Sequence, residues 1–153
     1  MTIDDRYMML TTRIAGITHS IQQIKNIALK PYGLKGRTVN CLFHLYRCGG
    51  GITLLELAKL CGEDKAAISR CVTDLRKMGY VTAISENGKN YRAQIRLTEE
   101  GGRAAAHLDR CIREAVKAGG AALEEEERES FYQCLQCIDR DLAAYLEKIR
   151  AEK

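Results

Sequence analysis

The sequence predicts a mainly α-helical fold that contains one small β-hairpin. Apolar residues recur at intervals of three and four along most of the 153 residues, which is the spacing of one helix face. Residues 80–97 break this pattern, because β-forming side chains there flank the Asn-Gly pair at positions 87 and 88. The longest helical patterns stand near the two ends of the chain. The hairpin is therefore expected between helices that precede and follow it in the sequence.

Long helices are predicted over residues 4–30 and 123–150. Each carries an apolar seam at alternating spacings of four and three, as in helices that pack side by side. The first helix could pack within its own chain or against a second chain, and its pattern favours neither. Two seams at opposite ends are explained most simply by a helical dimerisation unit, which we assign to residues 1–30 and 99–153. The seams are Ile3, Tyr7, Leu10, Ile14, Ile17, Ile21, Ile24 and Ala28, and Phe131, Leu135, Ile138, Leu142, Tyr145 and Ile149.

Between these ends, the spacing predicts two short consecutive helices. Thr53 and Glu56 have the spacing of a capping box, which begins the first of them. Gly62 ends that helix, and Asp64 can cap the next one. The second helix has an apolar stripe that we expect to be buried. The stripe consists of Ile68, Val72, Leu75 and Met78.

The opposite face of this second helix is short, polar or cationic, and none of its members is acidic. A face of this kind can enter the major groove of DNA without steric or charge conflict. The hairpin follows directly and carries two cations near its tip. Two helices and a basic hairpin predict a winged helix-turn-helix domain over residues 31–98. The expected DNA contacts are Lys65, Ala66, Ser69, Arg70, Thr73, Lys77, Lys89 and Arg92.

Three further elements complete the prediction. A helix is expected over residues 36–47, and Ile52 is expected to add a short strand beside the hairpin. Thr98 should cap a helix that runs to about residue 117.

Charge is distributed unequally between the predicted DNA-binding part of the chain and the part that follows it. Residues 53–98 hold 8 Lys and Arg against 5 Asp and Glu, whereas residues 99–153 hold 9 against 13. This asymmetry fits a polyanionic partner on one side only.

Composition excludes several other classes of protein. The sequence has no apolar run of 18 residues and begins with an acidic segment, so we expect a cytoplasmic protein without a membrane span. No Ser-His-Asp order, paired carboxylates or phosphate-binding glycine loop indicates an enzyme, and no cofactor or catalytic residue is expected. Cys134-x-x-Cys137 is the only close cysteine pair, and without a second pair or a His-x₃-His it does not predict a metal site.

The ordered motifs carry a resemblance to a known family. They read Thr53-x-x-Glu56-Leu57-Ala58, Ser69-Arg70-x-Val72-x-x-Leu75-x-x-x-Gly79-Tyr80-Val81 and Leu97-Thr98-x-x-Gly101. Together they resemble the MarR family of bacterial transcription regulators. The resemblance implies a homodimeric repressor that binds a palindromic operator on double-stranded DNA and is released by a small aromatic or phenolic anion. It places that effector among the first, second and fifth helices, where Arg13, His44 and Tyr46 are the polar candidates.

Two features set limits on this resemblance. The usual Asp-x-Arg of the family's wing is replaced here by Lys89-Asn90-Tyr91-Arg92, which leaves the register of the wing's acid and base open. In peroxide-sensing members the reactive cysteine lies in the first helix, and this first helix has none. We therefore expect the seven cysteines to be reduced thiols, mostly in the core, and not to be the switch. A redox-switched regulator and a protein-binding winged helix remain alternatives.

Overall fold

The computed structural model describes residues 2–84 and 93–152. This part of the chain contains six α-helices and one two-stranded antiparallel sheet, which confirms the predicted fold class. The predicted turn at Asn87-Gly88 lies outside the described residues. The elements are α1 (Ile3–Leu29), a 3₁₀ turn (Lys30–Tyr32), α2 (Arg37–Cys48), α3 (Leu54–Cys61), α4 (Lys65–Lys77), β1 (Val81–Ile84), β2 (Gln94–Leu97), α5 (Glu99–Gly119) and α6 (Glu125–Ala151).

The chain divides into two compact units, residues 1–115 and 116–153. The second unit contains α6, whose start is fixed by a capping box between Glu124 and Glu127. Arg128 adds to this start, since its Nη2 donates to the carbonyl oxygen of Leu123 at 3.0 Å. No residue of α6 is buried. A helix of this length with an apolar seam does not form a core by itself.

The core lies in the first unit and draws on every element from the end of α1 to the first half of α5. Its largest side chains are wholly enclosed, so these elements pack as one body. From α1, only Ala28 and Leu29 are buried. The fully buried side chains include Leu29, Val39, Cys41, Leu42, Leu45, Leu57, Ile68, Leu75, Val81 and Leu108.

The apolar seams at the two ends of the chain are largely exposed in the single subunit. Along α1, Ile3 is 83% exposed and Ile17 is 53% exposed. Along α6, Leu142 is 56% exposed and Tyr145 is 59% exposed. The heptad pattern is therefore present on both helices, but the single chain does not cover it.

The hairpin forms with the expected strands and a third short partner. Val81 pairs with Leu97 and Ala83 pairs with Ile95 in the antiparallel register. Ile52 exchanges two backbone hydrogen bonds with Ile95, at 3.2 and 2.8 Å. The prediction that Ile52 adds a strand beside the hairpin is confirmed. This bridge fixes the base of the hairpin to the segment just before α3.

Helix α5 is fixed by a cap at its start and by an ion pair with α2. The Thr98 hydroxyl accepts from the Gly101 amide at 3.0 Å, which confirms the predicted cap. Further along, the carboxylate of the buried residue Asp109 accepts a hydrogen bond from Arg113 at 2.6 Å. The same carboxylate lies 3.6 Å from the guanidinium of Arg47, at the end of α2. This buried acid thus pairs with Arg113 inside α5 and links α5 to α2 through Arg47.

Candidate nucleic-acid interface

Helix α4 is held by a cap at its start and by an apolar face along its length. The Asp64 carboxylate accepts a hydrogen bond from the Ala67 amide at 2.8 Å. This bond is the largest of the interactions that lower the pKa of Asp64. Ala67, Ile68, Cys71 and Leu75 are buried against the core. The helix is therefore anchored through its buried side, and its opposite side is mostly exposed.

The outward side of α4 presents the six helix residues that were predicted to contact DNA. Five of them are exposed and Thr73 is half-buried. Because a helix turns every 3.6 residues, Ala66, Ser69, Arg70, Thr73 and Lys77 lie within one arc of about 100°. The Thr73 hydroxyl already donates to the Ser69 carbonyl at 2.9 Å, so it offers a methyl group and an acceptor outward. The six residues are Lys65, Ala66, Ser69, Arg70, Thr73 and Lys77.

The turn before α4 is fixed by α3 and by α2. The predicted capping box of Thr53 and Glu56 is present, and its backbone and side-chain hydrogen bonds lower the pKa of Glu56. Gly62 closes α3 with a φ of 66°, a value that favours glycine. Glu63 then accepts from the Arg37 guanidinium at 3.0 Å, which raises the pKa of Arg37. These contacts define where Asp64, and with it the start of α4, can lie.

Met78 was predicted to belong to the buried stripe of α4, and this prediction is wrong. The regular helix ends at Lys77, and Met78 is 42% exposed. Gly79 turns the chain with a φ of 80°, so the stripe cannot continue past Leu75 with helical spacing. Tyr80 is buried instead, and its hydroxyl donates to the carbonyl of Tyr32 at 2.9 Å.

The seven free thiols differ in burial. Cys41 and Cys71 are buried in the core, Cys61 and Cys111 are half-buried and pack against it, and the other three are exposed. The prediction that most of them belong to the core thus holds for four of the seven. The exposed thiols are Cys48, Cys134 and Cys137. Within residues 2–84 and 93–152, no group of three or more His, Cys, Asp or Glu side chains has an arrangement that could hold a metal ion.

Two predicted contacts of the wing, Lys89 and Arg92, lie outside the described residues. The described part of the wing supplies another cation, Arg96, which the sequence analysis did not select. It is exposed on β2, and its Nη2 donates to Gln94 Oε1 at 2.9 Å. The alternation of strand side chains identifies it, since Ile95 points into the core and Arg96 must then point away.

A second group of cations was also missed. Lys35 and Arg37 stand on either side of Gly36 at the start of α2, and they line an open cleft of about 490 Å³ together with Lys77. These positions are far apart in the sequence, so only packing brings them together. The basic surface therefore extends beyond α4 toward the start of α2. Asp74 also lines this cleft and adds an acid at its edge.

The three predicted effector residues do not lie together in one subunit. Arg13 is exposed on α1, about 18 Å along the helix axis from Lys25 at a rise of 1.5 Å per residue. His44 faces Lys25, and burial followed by that positive charge lowers the pKa of His44. Tyr46 lies two residues further on α2, which turns it to another side of the helix. Their role in effector binding stays a prediction.

Comparisons with known proteins agree with this geometry. The profile of the IclR helix-turn-helix domain matches residues 36–84, which run from α2 through β1. A MarR protein from Peptoclostridium difficile superposes with a TM-score of 0.80 over 92% of each chain, at 16% identity. This chain has the MarR fold. The match extends well beyond the helix-turn-helix to nearly the whole chain, so the resemblance read from the motifs is confirmed for the fold.

Two further structures with the MarR fold are informative because of what they contain. The MepR–DNA complex of Staphylococcus aureus matches with a TM-score of 0.76 at 19% identity, over 89% of this chain and 98% of that one. The organohalide-sensing regulator RdhR, bound to 2,4-dichlorophenol, matches with a TM-score of 0.69 at 21% identity, over 87% of this chain and 79% of that one.

No curated protein sequence matches this chain. Every described helix is too short or too polar to serve as a membrane span.

Proposed function

We propose that this chain is a homodimeric, sequence-specific DNA-binding transcriptional repressor, which a small aromatic or phenolic anion releases from a palindromic operator. The observation that carries the proposal is the outward face of α4. It is polar and cationic, it is exposed, and the cap at Asp64 and the buried face of the helix hold it in a fixed orientation. Such a helix can place side chains against base edges in the major groove.

The exposed seams support the dimer. Ile3, Ile17, Leu142 and Tyr145 are each more than half exposed, and an exposed apolar seam along a helix is typical of a protein interface. Residues 1–30 and 99–153 would then form the dimerisation unit, and residues 31–98 the DNA-binding domain. Two-fold symmetry would place two copies of α4 in successive major grooves, about 34–36 Å apart.

The proposed effector is a small aromatic or phenolic anion. RdhR in its 2,4-dichlorophenol-bound form has the same fold, which makes a phenolic anion a reasonable class for this chain. Arg13, His44 and Tyr46 remain the polar candidates, and the separation of Arg13 from the other two suggests that a second subunit would have to complete the site. Binding there would shift the population between two spacings of the α4 helices.

Selection from a random duplex library with the full-length protein tests DNA recognition. We expect enrichment of a palindromic sequence, and Arg70→Ala should then weaken binding to it by about 1–3 kcal/mol per half-site and relax one base position. Arg92→Ala, in the wing, should weaken specific and random duplex alike and reduce the log–log salt slope by about one. Arg110→Ala on α5 is the matched control, since Arg110 is exposed and outside the proposed interface.

Two results would contradict the proposal. The first is a library that yields no enriched sequence. The second is operator binding by Arg70→Ala and Arg92→Ala that equals that of the parent at every salt concentration. Either result would favour the protein-binding winged helix over the DNA-binding one.

A further inference from the structure

Two thiols meet where α2 packs on α3. The Sγ atoms of Cys41 and Cys61 lie 4.0 Å apart, although the residues are 20 positions apart in the sequence. Cys41 is fully buried in the middle of α2, whereas Cys61 is half-buried and is the last residue of α3. Small molecules can therefore reach Cys61 more readily than Cys41. Cys71 on α4 is a third thiol in the same region and is also buried.

The surroundings make these two thiols chemically unequal. The hydrogen bond from the Cys41 thiol lowers the pKa of Cys61 and outweighs burial and the Glu63 carboxylate, which raise it, while the ammonium group of Lys25 adds a smaller lowering. The same hydrogen bond and burial raise the pKa of Cys41. Lys25 is held in place by Asn40, whose Oδ1 accepts from Nζ at 3.3 Å, and it lies 4.9 Å from the ring centroid of Phe43. A thiolate is the reactive form of cysteine, so Cys61 is the attacking group of the pair.

We propose that Cys61 and Cys41 form a modification site for hydroperoxides, in which Cys61 is oxidised and Cys41 then closes an α2–α3 disulfide. From the sequence, no cysteine was expected to act as a switch. This proposal differs from that prediction for Cys41 and Cys61, and the prediction stands for Cys134 and Cys137. The distance between the sulfurs and their difference in exposure carry the inference, and the electrostatic effect of Lys25 on Cys61 supports it. The site lies in the helix-turn-helix and not in the first helix.

The chemistry balances with hydrogen peroxide as the only oxidant. The Cys61 thiolate attacks one peroxide oxygen, the O–O bond breaks, and hydroxide leaves to become water with the proton that Cys61 had released. The resulting sulfenic acid is then attacked by the Cys41 sulfur, which forms the S–S bond and breaks the S–O bond. The Cys41 proton leaves with that hydroxyl group as a second water. The two sulfurs together lose two electrons, and the peroxide gains them.

The disulfide would move the turn that precedes α4. A disulfide bond is about 2.05 Å long, so the two sulfurs must approach each other by about 2 Å from their present 4.0 Å. Cys61 is followed at once by Gly62, by Glu63 with its bond to Arg37, and by Asp64, which caps α4. Drawing the end of α3 toward α2 therefore shifts the start of α4. The effect on DNA binding rests on the proposed function, whereas the disulfide does not.

A tryptic map of the full-length protein tests the disulfide directly. Cleavage after Lys and Arg places Cys41 in peptide 38–47, Cys61 in peptide 60–65 and Cys71 in peptide 71–76, each without another cysteine. After treatment with one equivalent of hydrogen peroxide and alkylation of the remaining thiols, we expect peptides 38–47 and 60–65 to be joined. A Cys61 peptide that stays reduced, or that is joined to a cysteine other than Cys41, would overturn the assignment.

Variants separate the two roles. Cys41→Ala should slow the oxidation of Cys61, because the thiolate loses its hydrogen-bond donor, and should stop the reaction at the Cys61 sulfenic acid, which a dimedone adduct on peptide 60–65 would reveal. Lys25→Gln should slow the oxidation of Cys61, because the thiolate loses its neighbouring cation. Cys48→Ala is the matched control on α2, since Cys48 is exposed, and it should leave the joined peptides unchanged. The map of the parent protein tests the disulfide even if Cys41→Ala fails to fold.

The effect on α4 has its own measurement. The probe is the most enriched duplex that the reduced protein selects from the random library. The oxidised protein should bind this duplex about tenfold more weakly, equivalent to the loss of one base contact, and thiol reduction should restore the affinity. A disulfide that forms without any change in affinity would overturn the displacement of α4. If no duplex is enriched, the proposed function fails, and the peptide map still decides the oxidation site.

Discussion

Adjacent glycines in the first turns of α5 give a matched test of how the helix packs on the hairpin. A Cβ added to Gly101 would collide with the carbonyl oxygen of Tyr80 and would lie 2.9 Å from its carbonyl carbon. These are backbone atoms, so no side-chain rotation can relieve the contact. A Cβ added to Gly102 would meet no atom within 4 Å. The two positions therefore differ in packing and share the same gain in helix propensity.

The magnitudes follow from this difference. Overpacking lowers the free energy of unfolding by about 3 kcal/mol at the upper end of its usual range, and replacing glycine by alanine in a helix raises it by about 1 kcal/mol. Gly101→Ala should thus lower the free energy of unfolding by about 2 kcal/mol, and Gly102→Ala should raise it by about 1 kcal/mol. For a chain of this length, the melting temperature should fall by roughly 4–8 °C and rise by roughly 2–4 °C, respectively.

Thermal unfolding followed by circular dichroism at one fixed protein concentration is the assay, because a dimer melts at a temperature that depends on concentration. Urea titration of the same variants gives the free energies directly. If Gly101→Ala proves as stable as the parent, or if both variants shift in the same direction, the close packing of α5 on the Tyr80 carbonyl is not a constraint on the fold.

Three further predictions concern the dimer, the cap of α4 and the exposed thiols. Ile17→Asp should yield a monomer of about half the parent's mass by light scattering, whereas Thr18→Asp beside the seam should stay dimeric; a monomeric parent would refute the proposed dimer. The pKa of Asp64 is lowered in the folded chain, so its contribution to stability is present above its unfolded pKa of about 3.9 and is lost as the pH falls through the folded value. In thermal melts at acid pH, Asp64→Asn should keep the cap and should not lose this contribution to stability. If the melting temperatures of variant and parent fall in parallel below about pH 4, the assignment is contradicted. Replacing Cys134 and Cys137 by Ser should give the same operator affinity as the parent in binding titrations, both without peroxide and after the same peroxide treatment, and loss of the peroxide response in that variant would assign the switch to them.

Local signals in the sequence predicted the parts of the fold that depend on neighbouring residues. The caps at Thr53, Asp64 and Thr98 each use a side chain and an amide three residues apart, so short spacing is sufficient to identify them. The strand at Ile52 was predicted from the context of the hairpin and is confirmed. For the same reason, the predicted ends of the helices and strands agree with the observed ends to within a few residues.

Other features depend on packing between distant segments, and the sequence pattern could not reveal them. Met78 has the spacing of the buried stripe, but the positive φ of Gly79 redirects the chain and buries Tyr80 in its place. The approach of Cys41 to Cys61 requires two helices to meet, and no spacing rule connects positions 20 residues apart. For the candidate site, the face of α4 was identifiable from helical periodicity, whereas the cluster of Lys35 with Lys77 was not.

The buried carboxylate of Asp109 has a consequence for how this chain can change in evolution. It faces two guanidinium groups, Arg47 from α2 and Arg113 from its own helix. Loss of the acid would leave two like charges beside each other, whereas loss of one arginine would leave the acid with the other. The order in which these three residues are substituted therefore matters. A lineage can lose Arg47 or Arg113 first and Asp109 afterwards, but the reverse order passes through an intermediate with unpaired positive charge at the junction of α2 and α5.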